Sequence, residues 1–69
     1  MDKRTITIRY DDIQKTVSWD DCAKAMTRML RDFGYNNVTE KEVEDQMQAI
    51  LDKKKLNVLG VMMQNHIVI

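Results

Sequence analysis

Few side chains in this sequence have the chemistry to make or break bonds at neutral pH. Cys22 is the only cysteine and His66 the only histidine. A nucleophilic thiol must be exposed and have a lowered pKa. Cys22 instead falls in step with Trp19, Ala23 and Met26 at helical spacing, the pattern of an inert core thiol. A general base needs an orienting partner. His66 lies in an apolar, strand-like tail that names none, so it reads as a structural or surface histidine.

Two acidic pairs, Asp11-Asp12 and Asp20-Asp21, could share a cation. Both lack the alternate-position spacing and the glycine of a calcium loop, and a turn and a helix start account for them. A zinc site needs about four Cys/His ligands, and the two present are far apart. With Gly34 and Gly60 as the only glycines, there is no phosphate-binding loop. The expectation is a non-enzymatic protein with no metal and no cofactor.

The elements that position these groups belong to one small α+β domain spanning residues 1–69. A single core of this size contributes only roughly 3–5 kcal/mol, so association matters to such a chain. Eleven basic and eleven acidic residues cancel, which argues against a general nucleic-acid coat. A lone cysteine suits a reducing compartment. Met1–Arg4 leads into alternating residues, unlike a signal peptide. No apolar run approaches the ~20 residues of a membrane span. The expected location is the cytoplasm, of the cell or of an infected host.

Thr5–Tyr10 alternates, with Ile6, Ile8 and Tyr10 on one face; Ile13, Lys15 and Val17 continue that face after Asp11-Asp12. A two-residue loop pairs Tyr10 with Ile13, Ile8 with Lys15 and Ile6 with Val17. Ser18 with Asp21, and Thr39 with Glu42, place a hydroxyl at a helix N-cap and an acid three residues on. The first helix is predicted from about Trp19 to Phe33, burying Trp19, Cys22, Ala23, Met26, Met29, Leu30 and Phe33. Gly34 is then the left-handed residue that ends it. The second is predicted from about Glu40 to Lys53 or Lys54, burying Val43, Met47, Ile50 and Leu51. The tail, Leu56 to Ile69, reads as one or two strands with Val61–Met63 in the first. The predicted order is ββααβ(β), with the helices on one face of a small antiparallel sheet.

Surface chemistry then points to binding. Glu40, Glu42, Glu44 and Asp45 make an acidic face that suits a basic protein partner. Trp19 is a candidate hot spot. Lys24, Arg28 and Arg31 form a basic face on the first helix. The leading expectation is a protein-binding module: a regulator, adaptor or inhibitor, encoded by a phage or other mobile element. A homo-oligomer formed through Val61–Ile69 is the second. The third is a winged-helix-like DNA binder using Lys24, Arg28, Arg31 and Lys53–Lys55. Acidic residues at the start of the second helix would repel phosphates, so nucleic acid is the weaker partner.

Overall fold

The hairpin forms in the predicted register. In the computed structural model, which describes residues 4–68, β1 (Thr5–Tyr10) and β2 (Ile13–Ser18) pair antiparallel with Tyr10 opposite Ile13, Ile8 opposite Lys15 and Ile6 opposite Val17. Asp11 takes φ of 53° in the two-residue loop, a conformation aspartate tolerates better than most residues. Ile6 and Ile8 are buried. On the opposite face, the Thr7 and Thr16 hydroxyls lie 3.1 Å apart.

No loop separates the hairpin from α1 (Trp19–Asp32). Ser18 ends β2 and caps α1, its hydroxyl accepting from the Asp21 N–H at 3.1 Å. Trp19, Cys22, Ala23, Met26 and Leu30 are buried as predicted. Phe33 is not: it is 64% exposed. It occupies the C-cap, where the chain leaves the helix axis. Gly34, at φ 110°, then turns the chain, and the Tyr35 N–H returns to the Leu30 carbonyl at 3.1 Å. Thr27, absent from the predicted stripe, is also buried, and its hydroxyl is satisfied there by donating to the Ala23 carbonyl at 2.7 Å.

α2 (Glu40–Leu51) starts at the predicted Thr39 cap. Val38 and Val43 are both buried beside that cap. The helix ends sooner than predicted. Lys53 adopts φ of 57°, with Lys53 N–H to Ile50 O at 3.3 Å and Lys54 N–H to Ala49 O at 2.9 Å. Lys53–Lys55 therefore lie beyond the last turn.

The tail departs most from expectation. Val61–Met63 are helical, inside α3 (Val58–Gln64). Asn57 is the cap: its Oδ1 accepts from the Leu59 and Gly60 N–H groups at 2.9 and 3.1 Å. The cap, together with burial of Leu59 and Met63 four residues apart, outweighs the strand preference of the valines. Gly60 faces α2, where an added Cβ would meet Gln46 Oε1 and the Leu56 side chain. The tail supplies one strand, β3 (Ile67–Val68), which pairs antiparallel with β1 in the order β2-β1-β3. Ile69, the end of the expected strand, lies outside the described residues. The result is a small α+β fold with three helices packed against a three-stranded antiparallel sheet.

Two substitutions test this account by thermal or urea melts. Lys53→Gly removes a left-handed penalty and raises stability by about 1 kcal/mol. Gly60→Val drives a branched side chain into the α2–α3 contact and lowers stability by about 1–3 kcal/mol.

Candidate functional site

Cys22 and His66 are each committed to the fold. Cys22 is fully buried, and burial pushes its thiol up to about 11, so it is protonated at neutral pH. Tyr10 is raised first by burial and then by the neighbouring Cys22 charge. The His66 ring stacks on Tyr10, with centroids 5.0 Å apart. Its Nδ1 lies 3.1 Å from the Arg9 carbonyl. A carbonyl only accepts, so Nδ1 carries the proton and donates. The Arg9 N–H donates back to the His66 carbonyl at 2.8 Å. Together these contacts lock the end of β1 to the turn before β3. No group of three or more His, Cys, Asp or Glu among the described residues is arranged to hold a metal ion. No helix among them is long and apolar enough to cross a membrane.

The predicted partner-binding residues do not form one surface. Trp19 is 3% exposed, with the Arg4 guanidinium 4.0 Å over its ring. Arg4 also donates to Gln48 Oε1 at 2.8 Å. Glu44, half-buried, and Asp45 border this same corner. Glu42 is engaged with its cap: its N–H donates to Thr39 Oγ1 and its carboxylate accepts from that hydroxyl, both at 3.2 Å. Glu40 is exposed. Lys24 and Arg28 are exposed on α1. Arg31 instead clamps the next loop, its Nε and Nη2 donating to the Val38 carbonyl at 3.2 and 2.9 Å.

A site missed by sequence reasoning lies between the α1–α2 loop and the start of α3. It is an open groove of about 550 Å³, lined by Tyr35, Asn36, Asn37, Glu42, Val58 and Leu59 among others. Val58 is 55% exposed there. Three local devices fix the walls: the Gly34 turn, the Arg31 clamp on Val38 and the Asn57 cap. Gln46 Oε1 adds a fourth by accepting the Asn57 N–H at 3.0 Å. Asn36-Asn37 reads as a plain turn in sequence. Val58 carries no signal until the tail is known to be helical.

Comparison of the chain with protein-family models, curated proteins and solved structures gives no match.

The raised Cys22 pKa has a pH consequence. In the unfolded chain the thiol ionises near its ordinary value of 9, whereas in the fold it stays protonated to about 11. Between those values the unfolded state has lost a proton that the native state keeps, so stability falls as pH rises, by about 1 kcal/mol per pH unit. Urea melts from pH 8 to 11 should reveal this loss, and Cys22→Ala should flatten it.

Proposed function

We propose that this chain is a small non-enzymatic protein-binding module, a regulator, adaptor or inhibitor, that holds its partner in the groove between the α1–α2 loop and α3. The observation that supports this reading is the groove's composition. Exposed Val58 and Tyr35 offer apolar contact area, and Asn36 and Asn37 offer amide donors and acceptors beside them. Aromatic and amide side chains in this mixture suit protein recognition more than capture of a small metabolite. The capped and clamped walls reduce the ordering cost of binding. Glu42 lines the groove and Glu40 stands nearby in sequence at the start of α2, which favours a partner that brings a basic side chain. A single buried cysteine, with no second one to pair with, suits a reducing compartment such as the cytoplasm.

The test is a pull-down of the tagged chain from its native lysate, with and without nuclease, beside a Tyr35→Ala/Val58→Asp variant. Both positions are exposed, and an acid in the first turn of α3 suits that helix. The expected outcome is one stoichiometric protein, retained after nuclease treatment and lost about tenfold or more with the variant, as for a hot-spot pair. Charge reversal by Glu40→Lys should weaken retention further. Retention that disappears with nuclease would overturn the reading and direct attention to Lys24, Arg28 and Lys53–Lys55. Retention indifferent to the groove variant would remove the groove from the reading.

A further inference from the structure

The side of the molecule away from α3 and β3 is open in both its layers. In the sheet layer, among the described residues, β2 is an edge six residues long, whereas the opposite edge, β3, has two. In the helical layer, α1 packs on β1 and β2 and has α2 on one side, while α3 packs on α2 and beside β3. The other flank of α1 therefore faces the β2 edge side. An open groove of about 450 Å³ runs along that flank, lined by Ala25, Arg28, Met29, Asp32 and Phe33.

The backbone of β2 is ready to pair. Tyr10 and Ile13 flank a two-residue loop, so they are a mutually hydrogen-bonded pair. Ile13, Lys15 and Val17 then direct their N–H and C=O groups to β1, and Gln14 and Thr16 direct theirs outward from the sheet. The Arg9 N–H bond to β3's side agrees with this parity, since odd positions of β1 face away from β2. Natural sheets blunt such edges with lysines and inward-pointing charges, proline, bulges or very short strands, and of these devices β2 carries only the charge of Lys15. β2 has a continuous register, no proline, and a single lysine. Ile13, on the helix-facing side, is 70% exposed.

We infer that this side is a two-fold interface between two copies of the chain, in which β2 pairs antiparallel with β2 of the second copy and the free flanks of α1 lie side by side. The interface is self-complementary at three levels. First, only registers that oppose odd positions to odd ones keep both helical layers on one face of the joined sheet. Among these, the register centred on Thr16 sets Lys15 opposite Val17 of the second copy and avoids opposing Lys15 to its own twin. Second, Thr16 has an outward N–H and C=O, so at the two-fold it exchanges both bonds with its counterpart. Third, the flank of α1 carries Asp21, Arg28 and Asp32 around Ala25 and Met29 at helical spacing. Reversing the helix direction across the two-fold brings Arg28 toward an aspartate of the other copy. A stable interface buries about 800 Å² per partner. One strand edge falls short of that, so the proposed dimer requires the α1 flank, with its groove at Ala25, Met29 and Phe33, to bury the remainder. The proposed dimer is a six-stranded sheet in the order β3-β1-β2-β2-β1-β3. It shares no residue with the groove proposed to hold a protein partner, so either can fail without the other.

Sedimentation equilibrium over a concentration series up to on the order of 1 mM tests the proposal, with amide hydrogen exchange read by NMR on the same samples. The expected result is a doubling of mass with concentration. The Thr16 amide should slow about tenfold or more, while Lys15, already bonded to β1, is much less affected. Thr16→Pro removes an N–H that the monomer does not use, and Ala25→Glu places a charge on the α1 flank. Each should yield a monomer. Ala25→Glu leaves the strand untouched and carries the test if Thr16→Pro fails to fold. A wild-type chain that stays monomeric would overturn the proposal and leave the β2 edge to a strand from another protein. A dimer that survives Ala25→Glu with the Thr16 amide still exchanging freely would overturn it as well.

Discussion

The direct junction of β2 and α1 at Ser18 is the constraint on which the rest of the structure depends. One residue ends the strand and caps the helix, so no linker exists to absorb a different helix direction. α1 must fold back over the strands that precede it, bringing Trp19, Cys22 and Met26 onto Ile6 and Ile8. The Trp19 N–H bond to the Arg4 carbonyl at 2.9 Å, and the Arg4 guanidinium over the indole, hold that corner from the other strand. A helix cap is worth only about 1 kcal/mol. Its importance here lies in selecting which face of α1 meets the sheet. Val43, Met47, Leu59 and Met63 then complete the one core that this face defines.

Much of this arrangement was legible in the sequence because it rests on short-range rules. Alternation across Asp11-Asp12 specifies the hairpin register, since a one-residue slip would turn Ile6 and Ile8 to water. The Ser18 and Thr39 caps, and Gly34 at the end of α1, are local chemistry with few competing readings. The tail was not legible for an equally physical reason. α3 has seven residues, an internal glycine and valines at two of its three exposed positions, so intrinsic preference points to strand. What makes it a helix is the Asn57 cap together with close packing at Gly60, where an added Cβ would press on Leu56 and on the Gln46 side chain of α2, and that packing is a tertiary fact. Phe33 misled by helical phase, which placed it on the buried stripe just where the helix stops.

The candidate site divides along the same line. Two of the charged residues picked out for binding also have local work: Arg31 ties the α1–α2 loop, and Glu42 completes a cap. These roles are legible only when the positions of backbone carbonyls and N–H groups are known. Charge alone cannot separate a residue that binds a partner from one that satisfies its own helix end. The groove at Tyr35 and Val58 is likewise assembled from segments more than twenty residues apart in sequence, held in place by those same structural charges and caps.

A chain this small cannot cover every apolar side chain it needs. With three helices on a three-stranded sheet, the layer is wide enough to shield Ile6 and Ile8 on the central strand but not Ile13 at the hairpin tip. Extending α1 would not help, because Gly34 has already turned the chain toward α2. Adding a strand outside β2 would help, and none remains in the described sequence to supply it. Phe33 is exposed because α1 ends there, whereas the exposed Ile13 and the half-buried Met29 are consequences of the Ser18 junction. It places α1 near the sheet edge and commits its far side to α2. Whatever covers this side must therefore match both a strand edge and a helix flank. A second copy of the same strand–helix unit, turned by a two-fold, meets both requirements with one surface.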